Sequence, residues 1–153
     1  MPDEQNTTPQ TQPKPKPILL SVNVCDTIIR DEQTKKVSLI GLFSIIGANS
    51  FPCTHPQMHV YIALTNGHGK YKTKIRFVSL ENGEMLAGME GQLDFVSPLQ
   101  VVEVNLRWEN LRFRKPGDYE VEVLCDDVSI GARKFVVVNQ PENTPPKSGS
   151  DVV

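Results

Sequence analysis

Between Leu111 and Val138 the chain reads LRFRKPGDYEVEVLCDDVSIGARKFVVV, a Pro-Gly break followed by two segments that alternate apolar and polar residues. Tyr119, Val121, Val123 and Cys125 fall on one face of an extended strand, and Glu120 and Glu122 fall on the other. A helix cannot gather that pattern on one side, because its neighbours recur every 3 to 4 residues, whereas a pleated strand alternates face by face. The stretch therefore predicts the closing hairpin of an antiparallel sheet with one packed and one solvated face.

The same period recurs upstream. Val102, Val104, Leu106 and Trp108 alternate with Glu103, Asn105, Arg107 and Glu109, which makes Trp108 a core candidate. Met58, Val60, Ile62 and Leu64 form a second inward row, and Thr73, Ile75 and Phe77 a third. Strands are expected near Ile18 to Cys25, Lys36 to Ile46, Met58 to Thr65, Lys72 to Leu80, Met85 to Phe95, Val101 to Trp108, Asp118 to Cys125 and Ser129 to Val138. The predicted fold class is all-β, a single antiparallel β-sandwich of about eight strands. With 153 residues the chain is long enough for one core and short for two. Asn66-Gly67-His68-Gly69 and Glu81-Asn82-Gly83-Glu84 tolerate positive φ, so each predicts a hairpin and the third to fifth strands a meander. Arg30 to Lys36 lacks a helical repeat and reads as a loop or hairpin tip. One segment resists the pattern. In Lys36 to Ile46, Ile40, Leu42 and Ile46 are apolar opposite Val37, Leu39, Phe43 and Ile45. That strand is either buried on both faces or exposes an apolar stripe, and the second case would mark a partner surface.

Eight of the twelve prolines lie outside Ile18 to Val138. Residues 1–17 and 139–153 are accordingly expected to be disordered Pro-rich tails, with 18–138 as the sandwich domain. Lys14-Pro15-Lys16-Pro17 in particular should be extended and solvated, since proline fixes φ and removes a backbone donor.

Gly117-Asp118-Tyr119-Glu120-Val121 resembles the tyrosine corner of immunoglobulin-like domains, although Val121 stands where antibody domains carry their second cysteine and Trp108 comes far after Cys25. More of the chain is similar to a bacterial domain-of-unknown-function family of small, uncharacterised β-sandwich proteins. The similar elements are Leu19 to Asp26 ending in Cys-Asp, the strand Lys36 to Phe43, and the closing Pro-Gly-Asp-Tyr, Asp-Asp and Phe135-Val136-Val137 segments. The resemblance to the family implies a β-sandwich, immunoglobulin-like at its tyrosine corner, and brings no established activity and no functional residues with it.

Chemistry is sparse. A net charge of -2 gives no overall field toward nucleic acid or an anionic membrane, and no apolar run reaches the roughly 20 residues that span a bilayer. Residues 1–17 lack the basic start and apolar stretch of an export signal, and the odd count of Cys25, Cys53 and Cys125 fits reduced thiols, so a cytoplasmic location is expected. Cys53, His55 and His59, with His68 further on, are the nearest approach to a metal set, yet their spacing matches no zinc motif and no cofactor is expected. Cys125 phases inward as a small apolar residue, while Cys25, out of phase with Val22 and Val24, is left open to solvent with no histidine near it in sequence. No Gly-x-Ser-x-Gly elbow or phosphate-binding loop occurs, and Asp126-Asp127 reads as a hairpin turn. Lys70, Lys72, Lys74 and Arg76 form a basic outward row, joined by Tyr61 if the third and fourth strands pair, and Arg107, Arg112, Arg114 and Lys115 gather near the closing hairpin. These observations favour a non-catalytic protein-interaction or assembly module. A ligand-binding module for an anionic small molecule or oligonucleotide through the basic row is the alternative, and an unrecognised enzyme the third reading.

Overall fold

The computed structural model describes residues 13–140. The tail expectations for 1–12 and 141–153 lie outside the described residues. Nine strands follow in chain order: β1 Ile18–Arg30, β2 Val37–Leu42, β3 Ile45–Ala48, β4 Cys53–Thr65, β5 Gly69–Ser79, β6 Met85–Phe95, β7 Val102–Phe113, β8 Gly117–Cys125 and β9 Val128–Asn139. They form a four-stranded sheet in the order β2-β1-β4-β7 and a five-stranded sheet in the order β3-β9-β8-β5-β6, and no helix in the described residues is long and apolar enough to cross a membrane. The all-β sandwich read from the sequence is the observed architecture.

The inward rows pack as their phase predicts. Met58, Val60, Ile62 and Leu64 from β4 face Ile75, Phe77, Val121 and Val123 from β5 and β8, all buried. Phe77 meets Trp108 edge to face at 4.8 Å, and Phe113, Tyr119 and Phe135 extend the aromatic contacts between the sheets. The β7 row of Val102, Val104, Leu106 and Trp108 also faces inward but stays half-buried, because β7 is a sheet edge with no strand beyond it.

Four local expectations are corrected. The single strand expected over Lys36–Ile46 is two. β2 pairs antiparallel with β1, the chain turns at Phe43 and Ser44, and β3 joins the other sheet parallel to β9, so the strand count is nine and one pair is parallel. A sharp change is possible at Gly41, whose φ of +71° suits glycine and whose missing Cβ leaves room for the Asp26 side chain. Secondly, Asn66–Gly69 does not close a hairpin. β4 and β5 belong to different sheets, so the segment crosses between them, with Gly67 lying over the ring of Phe95; the meander is limited to β5 and β6. Thirdly, Cys53–Gln57, which precedes the strand expected from Met58, is the first part of β4. Pro56 is tolerated there because this part pairs only with β7, where Asn110 at φ +54° stands unmatched opposite the proline.

The fourth correction concerns the tail boundary. Pro13 to Pro17 forms no strand, but it is tied to the domain instead of standing free. Tyr71 donates its hydroxyl to the Pro15 carbonyl at 2.6 Å, Asn66 donates to the Lys16 carbonyl at 3.1 Å, and the Lys14 ammonium sits 4.8 Å from the centre of the Tyr71 ring. At the other end β9 runs to Asn139, and Gln140 donates to Ala48.

Candidate functional site

The outward face of β5 carries Lys70, Lys72, Lys74 and Arg76, as expected, but its neighbours supply matching acids. Lys72 pairs with Glu90 of β6 at 3.1 Å, Lys74 with Asp127 of the β8–β9 turn at 2.8 Å, and Arg76 with Glu122 of β8 at 2.5 Å. Glu90 holds the Lys72 ammonium above its ordinary pKa, and Lys74 holds the Asp127 carboxyl below its own. The two exposed pairs, Lys72–Glu90 and Lys74–Asp127, contribute little stability, whereas Glu122 is largely buried. The pairs do cancel much of the row's positive field. Lys70 has no ion-pair partner among the described residues. Tyr61 does not join the row. It lies on β4 in the other sheet, between Asn23 and Asn105, with its hydroxyl pKa raised first by burial and then by Glu103.

Cys53, His55 and His59 are held by one strand but face opposite ways. His59 alternates with the inward Met58 and Val60 onto the other face of its sheet, where it is nonetheless buried, and places Nδ1 3.2 Å from the Asp26 carbonyl oxygen. His55 points inward, its ring 5.8 Å from that of Phe43, and burial lowers its pKa despite the opposing charge of Asp26. His68 belongs to the crossing at the far end of β4. Among the described residues no group of three potential ligands converges on a metal position.

Strand pairing creates one neighbourhood that sequence separation hid. Cys25 is the register partner of His59, so a thiol and an imidazole become neighbours across β1 and β4. Cys25, left open to solvent by its phase, is instead fully buried, its Sγ 3.4 Å from the Thr27 carbonyl, and burial raises its pKa. His59 meets the backbone of Asp26 and not its carboxylate. A protonated, sealed thiol beside an imidazole with no orienting acid lacks the accessible thiolate that nucleophilic chemistry requires. Cys125, inward as expected, is likewise buried with a raised pKa.

The segment whose phase was ambiguous supplies the exposed surface. β2 is the outer strand of its sheet, and Ile40 and Leu42 are 44% and 59% exposed, alongside Ile29 of β1 at 52% and Ile45 of β3 at 64%. Of the two alternatives for this segment, the exposed stripe is observed at Ile40 and Leu42, whereas Ile46 of the same expected row is buried and Ile45 exposed, because β3 leaves for the other sheet. Sheet edges are normally guarded by charge, proline or bulges. β7, at the opposite edge of the same sheet, carries Glu103, Arg107, Glu109 and Arg112, and β6 carries Glu90 and Asp94. Neither β2 nor β3 carries a charged residue. A second exposed apolar feature is the β6–β7 loop, where Leu99 is 92% exposed, but its backbone is already engaged by Thr65 and Asn66.

The family model described as "Family of unknown function (DUF6941)" matches residues 20–138. The chain belongs to this family. The match covers nearly all of the elements that carry the resemblance noted above, and it adds no activity. The comparison with curated proteins found no match. Among solved structures, the CARDB domain of the PF1109 protein from Pyrococcus furiosus, in complex with di-metal ions, is 16% identical, with 90% of this chain and all of that one covered at a TM-score of 0.40. The alkylpurine DNA glycosylase AlkC of Pseudomonas fluorescens is 13% identical over 62% of this chain, at a TM-score of 0.41. The β-glucuronidase of Bifidobacterium dentium is 12% identical over 79%, at 0.39. The chain spans only 27% of the glycosylase and 17% of the glucuronidase. These likenesses carry no chemistry to this chain.

Proposed function

We propose that this protein is a non-catalytic interaction module of the cytoplasm that receives an extended segment of a protein partner along β2. The support is the uncharged edge bordered by Ile29, Ile40 and Leu42, which offers unpaired backbone groups and apolar side chains together. Strand addition uses both, the backbone for affinity and the alternate side chains for selectivity. The apolar β6–β7 loop offers only the second. Gly41 limits the regular edge to Val37–Ile40, enough for a short added strand. The reading of the basic row as an anion surface has less support, because Lys72, Lys74 and Arg76 are already paired.

The test is comparative capture from native lysate by the wild-type protein, by Ile40→Lys and by Lys70→Ala. Proteins retained by wild type and Lys70→Ala but lost by Ile40→Lys support the reading. Identical profiles for all three baits sink it. Ile40 is exposed, so its replacement is expected to leave stability within about 0.5 kcal/mol, and a melting curve separates lost binding from lost fold.

A further inference from the structure

We propose that the cleft where β6 and β7 part binds a small aliphatic monocarboxylate. The four-stranded sheet ends there in β7 and the five-stranded sheet in β6, so the sandwich stands open at this side. The β5–β6 turn and the β7–β8 turn frame a cavity of about 200 Å³ with Arg112, Arg114, Lys115, Glu84, Met85 and Leu86 in its wall. These residues come from distant parts of the chain. Arg112 and Arg114 were legible only as basic residues near the closing hairpin, and nothing in the sequence set them opposite Met85 and Leu86.

Charge selects the ligand class. Arg114 lies 3.3 Å from Glu84, and Lys115 lies 3.9 Å from Glu81, whereas Arg112 has no ion-pair partner among the described residues. Three cations against two carboxylates leave an excess of one positive charge, which suits a monoanion. A dianionic phosphate would crowd a second negative charge against Glu84. Arginine also matches the planar carboxylate fork, and can hold it through two parallel hydrogen bonds. Size narrows the choice further. At about 200 Å³ the cleft is small. It is smaller than the roughly 300 Å³ at which pockets for nucleotide- or drug-sized ligands begin. A carboxylate with a short hydrocarbon tail fills it, with the head on Arg112 and Arg114 and the tail against Met85 and Leu86.

The cationic wall is positioned by the corner tyrosine. Tyr119 also lines the cleft and donates its hydroxyl to the Lys115 carbonyl at 2.6 Å, which ties the turn bearing Arg114 and Lys115 to β8. The backbone of that wall is thereby held before a ligand arrives, which leaves only side chains to be ordered on binding.

Amide chemical-shift titration of the full chain with butyrate, inorganic phosphate and a short peptide with a free apolar C-terminus, at constant ionic strength, tests the proposal. Saturable butyrate shifts confined to residues 79–86 and 112–119, weakened about tenfold by Arg112→Gln as expected for loss of one charge-assisted hydrogen bond, support it. Absence of saturation at tens of millimolar butyrate, or equal affinity in Arg112→Gln with an unchanged melting curve, overturns it. Tighter binding of phosphate overturns the monocarboxylate assignment, as does binding of the peptide without butyrate.

Discussion

Tyr119 shows how one side chain joins sequence pattern to tertiary structure. Its ring packs 4.9 Å from Phe113 and stacks on Phe135, while the hydroxyl reaches back four residues to Lys115. Tyr119→Phe keeps the ring and removes one hydrogen bond, so it should lower unfolding free energy by about 0.5 to 1.5 kcal/mol. Denaturant unfolding with an unchanged midpoint would show that the hydroxyl contributes nothing net. His55 makes a prediction about pH. Burial lowers its folded-state pKa below the ordinary 6.5 or so. Well above pH 6.5 both states are neutral. Below it the unfolded chain takes up a proton that the folded chain resists, so stability falls as pH drops. Between pH 7.5 and 5.5 the wild-type melting temperature should decline more than that of His55→Gln, and parallel declines would exclude His55 as the source. Asp31 and Asp127, whose pKa values are lowered in the fold, lose their contributions only below the ordinary carboxylate range near 4.

At the scale of elements, the alternating strands were legible and the connections were not. β5, β7 and β8 follow period 2 closely enough to assign each face, and Asp126 and Asp127, both at positive φ, close the β8–β9 hairpin where two aspartates predict it. Asn66–Gly69 has equally good turn chemistry but crosses between sheets. Local φ preferences are the same for a hairpin and a crossing, and only the packing of β4 and β5 into different sheets separates the two. Gly67 records that packing, since a Cβ there would lie 2.4 Å from the Phe95 ring. Phe95 is buried and meets Tyr71 edge to face, so it cannot swing away freely. Gly67→Ala should therefore cost about 1 to 3 kcal/mol, the usual range for overpacking. An unaltered midpoint in urea would mean that the crossing relaxes.

For the whole molecule, the aromatic contacts of Phe77, Trp108, Phe113 and Phe135 link both sheets into one core, which predicts one cooperative unfolding transition. Fluorescence of Trp108, the single tryptophan, and far-ultraviolet circular dichroism should trace the same curve. Separate midpoints would show that the sheets unfold independently. The two open sides of the sandwich differ: β2 and β3 border one without charge, while β6 and β7 border the other with acids and arginines. By itself the sequence determined the all-β class, the inward rows, the tyrosine corner and the closing hairpin, because period-2 burial and turn chemistry act between near neighbours. Only the tertiary structure decided that Lys36–Ile46 divides between two sheets and that Cys25 lies sealed beside His59. It also decided that the basic row meets Glu90, Asp127 and Glu122, and that Arg112 and Met85 line one cleft. Those outcomes depend on which strands become neighbours and which become edges, a choice made by burying all the apolar faces at once.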